Sequence, residues 1–301
     1  MNLSPLSILL RSVAWPALAM TALTSQQAWA VYSCSVTASS TGVLYVTPTP
    51  QDSQGVATLT CTRASGDAST LTYRLKADDG LNVNGTQRRV RLGAGIDYLR
   101  YALTSAAVCG NASTWYAPVT GTTSVVTGTL NFGAALSQSV SVPYCLRTRV
   151  GGAGNPAAPT AGVYTDTVNI FGQFPDSDAG ALTPVAPITY SVGVTNQCVF
   201  NSFPTTMAFN YTSFSATPQV VAQSFNLRCS NTLPWTATVS PAAAIVLGLN
   251  YTVAVSPAVT TTGTGVDQAV TLTGTMPADQ AGTCNTGTCS GTQAHTVTIT
   301  Y

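Results

Sequence analysis

Two stretches of the chain repeat one pattern of cysteines and alternating residues, and this repeat constrains the fold more than any other feature. One stretch runs from Cys34 to Cys61 and the other from Cys198 to Cys229. Each begins at a cysteine, passes through an apolar-rich segment and a proline-containing turn, and ends in an alternating segment that closes on the second cysteine. Alternation of apolar and polar residues is typical of half-buried β-strands. The repeat therefore predicts two related β-units.

Matching segments continue downstream of both cysteine pairs. "IDYLRYALTS" at 96–105 corresponds to "LNYTVAVSPA" at 249–258, and "AGVYTDTVNIFG" at 161–172 corresponds to "GTQAHTVTITY" at 291–301. The repeat is too long for a solenoid or a propeller blade. Short strands separated by turn signals instead predict an all-β protein made of two β-sandwich domains.

We expect these domains to cover residues 31–185 and 190–301. The segment "ITYSVGV" at 188–194 alternates as a strand. It could finish the first domain, open the second, or do both in succession, so the boundary is left open around it.

The composition fits a folded β-protein. Charged residues make up 7% of the chain, against about 25% in ordinary soluble domains. Disorder also needs low hydrophobicity, whereas 45% of this chain is hydrophobic. The net charge of +1 gives no excess of positive charge that would favour binding to nucleic acid.

The first thirty residues resemble an export signal. Arg11 precedes the apolar run 12–23, and "AWA" at 28–30 has the small-residue pattern of a cleavage site. The run is shorter than the roughly 20 residues that a membrane helix needs. We expect residues 1–30 to be removed after Ala30, so that an exported protein starts near Val31.

Eight cysteines in an exported chain predict disulfides. Similar spacing pairs Cys34 with Cys61 and Cys198 with Cys229, and Cys284 and Cys289 enclose a short turn. Cys109 and Cys145 remain to bridge each other. A metal site is disfavoured because no C-x-x-C occurs and His295 is the sole histidine. No cofactor is expected.

Several segments resemble the spore coat protein U domain. These are the early cysteine pair, "YLRYALTS…STWYAPVTGT" and the late "AGVYTDTV", in which Gly162, Tyr164, Asp166 and Val168 match the family's G-x-Y-x-D-x-(apolar) motif. The second copy is more divergent there. The resemblance implies an exported subunit of an archaic chaperone–usher pilus with an incomplete immunoglobulin-like fold.

The resemblance implies a role for the segment "AHTVTITY" at 294–301. Val297, Ile299 and Tyr301 alternate with threonines as a half-buried strand. In such subunits a domain lacks its final strand, which a periplasmic chaperone lends and the N-terminal strand of a neighbouring subunit later replaces. The resemblance implies that these three residues flank that gap; the alternative is the last strand of a closed sandwich.

Further expectations follow for the whole chain. Cleavage after Ala30 would leave no N-terminal arm to donate, which is expected of a tip adhesin that an outer-membrane usher places at the cell surface. Such a subunit attaches cells to abiotic or host surfaces and promotes biofilms. Two apolar segments are candidates for the contact: Val43, Leu44, Tyr45 and Val46; Trp115 and Tyr116. The alternatives are that Trp115 is a packing residue and that the first segment is a buried strand.

Enzyme activity is not expected. His295 is the only histidine available as a base and has no nucleophile motif near it. Asp166 belongs to the late motif and is predicted to be a structural hydrogen-bond acceptor. The alternatives to a tip adhesin are a non-adhesive structural pilus or coat subunit and a lectin-like sugar-binding tip protein.

Overall fold

A computed structural model describes most of the region after the predicted signal. The residues that it describes are 32–45, 49–85, 87–106, 108–109, 115, 126–148, 155–175 and 182–301. They form strands, turns and extended segments without a helix. None of the described residues belongs to a helix long and apolar enough to cross a bilayer. The all-β prediction is confirmed.

Ten strands form the first unit. They are Ser33–Ala38 (β1), Thr41–Leu44 (β2), Gln51–Thr62 (β3), Thr70–Ala77 (β4), Arg88–Leu92 (β5), Tyr98–Thr104 (β6), Val126–Asn131 (β7), Ser137–Thr148 (β8), Gly162–Gln173 (β9) and Thr183–Val194 (β10).

Eight further strands form the second unit. They are Cys198–Phe200 (β11), Gln219–Cys229 (β12), Pro234–Ser240 (β13), Ala243–Val246 (β14), Leu249–Ser256 (β15), Thr261–Thr262 (β16), Gln268–Met276 (β17) and Thr296–Thr300 (β18).

The two units share one order of strands. One half of the first sandwich runs β1-β3-β8-β6-β5, and one sheet of the second runs β11-β12-β17-β15-β14. On the opposite side, β4 lies between β7 and β9, and β13 lies between β16 and β18. The second unit is therefore a structural repeat of the first.

Each unit has its own hydrophobic core, built from the inward positions of alternating strands. The first core contains the buried side chains of Leu59, Leu99 and Tyr144, and the second contains those of Phe225 and Trp235. Successive side chains of a strand point to opposite faces, so polar neighbours such as Thr62 and Asn226 remain exposed.

The structure contains the four predicted disulfides. Cys34 is paired directly opposite Cys61 between β1 and β3, and Cys198 is opposite Cys229 between β11 and β12. The other two bridges are Cys109–Cys145 and Cys284–Cys289. The matching position of the first two supports the duplication read from the sequence.

A loop of the first unit contacts the second. The backbone N–H of Asn231 donates to the carbonyl of Ala158 at 3.1 Å, and its side-chain Nδ2 donates to Thr160 Oγ1 at 3.0 Å. The connection between the units is short, because β10 ends at Val194 and β11 begins at Cys198. The two sandwiches therefore meet at a hydrogen-bonded junction.

Candidate functional site

In the first unit, β10 fills the space between β9 and β2. It runs antiparallel to β9, with Ile188 opposite Val168 and Tyr190 opposite Asp166. It runs parallel to β2, with Tyr190 also opposite Thr41. Strand β10 therefore closes one side of the first sandwich by hydrogen-bonding on both of its edges.

The inward side chains of β10 complete the first core. They alternate with exposed residues such as Thr189 and are all buried: Ala186, Ile188, Tyr190, Val192 and Val194. Burial of a large apolar side chain is worth about 1.5 to 3 kcal/mol. This one strand therefore supplies a large share of the stability of the first unit.

The corresponding side of the second unit has no such strand. Within the described residues, β18 pairs with β13 alone, and its other edge has no strand beside it. Val297 and Ile299 are half-buried against the second core, whereas Tyr301 is 58% exposed. The three residues predicted from the sequence thus lie along an open edge, with the first two facing inward.

An extended segment of the second unit corresponds to β2 of the first. Met207, Phe209 and Tyr211 face the second core, and the residues between them are exposed. Residues 203–212 nevertheless belong to no strand. Since Val43 and Tyr45 stand at the same spacing from Cys34 as Met207 and Phe209 do from Cys198, this segment corresponds to β2 and its continuation.

A buried carboxylate lies beneath β10 in the first unit. Asp166 accepts hydrogen bonds from Tyr101 Oη at 2.7 Å, from the Leu81 backbone N–H at 3.0 Å and from Asn82 Nδ2 at 3.1 Å. Burial raises the pKa of Asp166, and burial followed by the nearby Asp166 charge raises the pKa of Tyr101. Asp166 is therefore a structural hydrogen-bond acceptor, as predicted, and it ties the loop after β4 to β9.

The second unit has a tyrosine–histidine pair in the equivalent place. The hydroxyl of Tyr251 lies 2.7 Å from His295 Nε2, and His295 Nδ1 lies 2.7 Å from the Pro241 carbonyl. Because a carbonyl can only accept, Nδ1 carries the proton, and Tyr251 donates to Nε2. Both ring nitrogens form hydrogen bonds, so His295 has a structural role.

Two of the predicted adhesion residues are buried. Tyr45 is buried, and its hydroxyl donates to the Pro156 carbonyl at 2.7 Å. Trp115 is fully buried, stacks on Tyr144, and accepts a hydrogen bond from Arg88 at its carbonyl. Buried side chains offer no area to a surface, so these two are corrected to packing residues.

The other adhesion candidates differ in their exposure. Val43 faces the core and is only half-buried, while Leu44 is 63% exposed. Val46 and Tyr116 lie outside the described residues. The apolar run therefore contributes an edge strand, β2, rather than a loop.

The exposed Leu44 has an apolar neighbour that sequence reasoning missed. Gly193 of β10 is opposite both Leu44 and Val163 of β9, which places all three on one outer face. Val163 is 61% exposed. A Cβ on Gly193 would lie 3.1 Å from Leu44 Cδ2, so the glycine leaves room for the leucine side chain. Only the pairing of distant strands brings this pair together.

One group of possible metal-ligating residues occurs in the described part of the chain. It consists of Asp52, Cys109 and Cys145. The two cysteines form a disulfide, and Asp52 is bonded to Arg147 at 2.6 Å. A disulfide supplies no thiolate, so this group does not favour a metal centre.

Solved structures with a similar arrangement include pilus proteins. The CooA pilin subunit from enterotoxigenic Escherichia coli matches 54% of this chain and 99% of its own, at 12% identity and a TM-score of 0.35. The CupB6 tip adhesin from Pseudomonas aeruginosa matches 90% of this chain and 95% of its own, at 11% identity and a TM-score of 0.38. A chaperone–tip adhesin complex of CFA/I fimbriae matches 75% of this chain and 83% of its own, at 11% identity and a TM-score of 0.28.

These similarities are low, and the family assignment depends on the sequence instead. A search of curated proteins gave no significant match. The family model of the Spore Coat Protein U domain matches residues 19–171 of the 301. This range contains the first cysteine pair and the late motif around Asp166, both of which have structural roles in the first unit. The chain belongs to the Spore Coat Protein U domain family.

Proposed function

We propose that this protein is the tip adhesin of a chaperone–usher pilus and is anchored in the fibre by a strand from another subunit. The observation that carries the proposal is the contrast between β9 and β18. Strand β9 has β4 on one side and β10 on the other, whereas β18 has β13 on one side and no described strand on the other. An open sheet edge recruits an added strand.

The direction of the missing strand follows from the first unit. Strand β10 is antiparallel to β9 and leads directly into the second unit. A strand placed in the same way beside β18 would be antiparallel to it and would lead into the body of the next subunit. In the chain, β10 closes the first unit and continues into the second unit. In the fibre, the added strand would close the second unit and continue into the next subunit.

The energy of such an added strand is large. A strand of ten residues places about five side chains inward. At about 1.5 to 3 kcal/mol each, their burial is worth on the order of 10 kcal/mol before ordering costs. Whole domains are stable by only about 5 to 15 kcal/mol. The second unit therefore depends on its partner strand for stability.

This dependence defines the partners. During export through the periplasm, a pilus chaperone lends the strand and shields the open edge. At the outer-membrane usher, the N-terminal strand of a neighbouring subunit replaces it. The protein then stands on the cell surface at the end of the fibre, where the closed first unit needs no strand from a partner.

Adhesion is assigned to the first unit because its own strand β10 closes its sandwich, so it needs no strand from a partner. Leu44 and Val163 form an exposed apolar pair on its outer face. Apolar side chains on a surface gain free energy when they bury area against another apolar surface. We propose that contact of this kind attaches cells to abiotic or host surfaces and starts biofilm formation.

Co-expression with a periplasmic pilus chaperone tests the anchoring role. The chain should be recovered as a soluble one-to-one complex with the chaperone and should be degraded or aggregated without it. A matched chain in which Val297 and Ile299 are both replaced by Asp should lose the complex. Equal recovery of soluble chain from cells with and without the chaperone would contradict the proposal.

Attachment of piliated cells tests the adhesive role. Purified first unit, residues 32–195, should compete with the cells for a plastic surface and reduce their attachment. Inhibition by free sugars instead would assign the protein to the lectin-like class, and unchanged attachment would assign it to the non-adhesive class.

A further inference from the structure

The second unit carries a position that discriminates among donor strands. We infer that the donor side chain placed opposite His295 must be apolar and must lack a hydroxyl, so that a strand like β10, with tyrosine there, is disfavoured. This inference rests on the proposed function, because it assumes that the open side accepts a strand.

The position follows from the equivalence of the two units. Tyr101 is opposite Thr148 between β6 and β8, and the register of β15 with β17, continued by one residue from Thr252 and Thr275, places Tyr251 opposite Met276. The strand pairing therefore matches Tyr251 with Tyr101, whereas alignment of 96–105 with 249–258 matches it with Tyr98. The contact of Tyr101 with Asp166 corresponds to the contact of Tyr251 with His295. His295 therefore stands where Asp166 stands in the first unit.

The first unit shows what the donor residue does at this position. Tyr190 of β10 is opposite Asp166, and its ring lies 5.0 Å from the Tyr101 ring. Its buried hydroxyl hydrogen-bonds with Thr148 Oγ1 at 2.8 Å. A tyrosine is accepted here because the wall of the sandwich supplies a polar partner for its hydroxyl.

The second unit removes that partner. Met276 occupies the place of Thr148, and its thioether is only a weak acceptor. Both nitrogens of His295 and the proton of the Tyr251 hydroxyl are already engaged. A tyrosine seated like Tyr190 would place its hydroxyl beside Met276, because the Tyr190 hydroxyl bonds Thr148 and not the Tyr101 hydroxyl. That hydroxyl would lack a good partner, which costs free energy, whereas a leucine side chain would bury against Met276 and the Tyr251 ring.

The neighbouring positions fix the register of the donor. By the same equivalence, Val297 corresponds to Val168, which is opposite Ile188. Ile299 corresponds to Ile170, which is opposite Ala186. The donor should therefore carry a small residue opposite Ile299, a large aliphatic residue opposite Val297, and a large apolar residue without a hydroxyl opposite His295.

The test uses the full chain with a strand fused after Tyr301 through a short flexible linker. One version carries a copy of residues 184–194, which keeps tyrosine at the position of Tyr190. A second version has leucine at that position of the copy, and a third has aspartate. Calorimetry then follows two unfolding transitions, of which that of the first unit should stay unchanged.

The leucine version should unfold at the highest temperature, with its second transition about 5 °C or more above that of the tyrosine version, equal to about a tenfold gain in the folding equilibrium constant. The aspartate version should gain nothing. Met276→Thr, which restores the hydroxyl of Thr148, should narrow or reverse the difference between tyrosine and leucine.

The outcomes separate this inference from the proposed function. Equal stabilisation by the tyrosine and leucine versions, or a preference for tyrosine in the unmodified domain, would overturn the inference and leave the strand-accepting role intact. If no version raises the second transition, the open side does not accept a strand, and both fail.

Discussion

The two units of this protein share their strand order, their cross-strand disulfide and their tyrosine-based polar pair, and they differ mainly on one side. In the first unit, β10 lies between β9 and β2. In the second, β18 faces an extended segment that belongs to no strand. One strand therefore separates a closed sandwich from an open one. A duplicated chain can therefore carry a finished domain and an unfinished domain side by side.

The largest expected effect comes from breaking the closure of the first unit. Ile188→Asp places a carboxylate at a fully buried position of β10, and an unpaired buried charge costs more than about 4 kcal/mol. We expect the first unit to lose its thermal transition in calorimetry. Thr189→Asp, one residue further on at an exposed position, is the matched control and should melt like the wild type. A normal transition for Ile188→Asp would mean that β10 does not close the unit.

The second prediction compares the equivalent disulfides. Cys34–Cys61 and Cys198–Cys229 close loops of 27 and 31 residues, and chain entropy gives about 3.5 kcal/mol for each. Replacing either pair with serine should lower stability equally. The first unit should remain folded, whereas the second, without its partner strand, should unfold. Protease digestion followed by mass spectrometry would show which unit is lost. Survival of both units would contradict the claim that the second unit is the less stable one.

The third prediction compares the two polar pairs. Asp166→Ala leaves three donors without their acceptor in the first unit, and unsatisfied buried groups cost about 1 to 3 kcal/mol each. We expect a loss of about 3 kcal/mol by denaturant unfolding. His295→Ala affects a half-buried pair and should cost about 1 kcal/mol in the second unit. The reverse order would show that the pairs are not equivalent.

The smallest expected effect on stability concerns the outer face. Leu44→Glu changes a side chain that is 63% exposed and should alter the free energy of unfolding by less than about 0.5 kcal/mol. Attachment of piliated cells to plastic should nevertheless fall, while the number of pili stays constant by electron microscopy. Leu136→Glu, at another exposed leucine of the first unit, is the control and should attach normally. Equal attachment by both variants would remove the outer-face pair from the contact.

Much of this comparison could be predicted from the sequence because its signals are local. The cysteine pairs at similar spacing, the alternation along β3 and β12, and the late motif around Asp166 predicted the repeat and its bridges. Alternation shows which side chains share a face, but it does not show which neighbour a strand pairs with.

The features that the sequence did not predict depend on contacts between distant residues. The segment 188–194 could have belonged to either unit until its pairing with β9 and β2 was known. Tyr45 and Trp115 were candidates for a surface because their partners, Pro156 and Tyr144, lie far away in the chain. Leu44 and Val163 share one outer face because each is opposite Gly193, on either side of β10.

Hydrogen–deuterium exchange of the full chain, refolded in vitro at low concentration, reads the edges of β9 and β18 in one experiment. Amides of β9 should exchange slowly throughout, since the strand is bonded on both sides. In β18, the amides that do not point toward β13 should exchange rapidly, and they should become protected when an alternating apolar strand is fused after Tyr301. Slow exchange along all of β18 in the unfused chain would show a closed second sandwich and contradict the account.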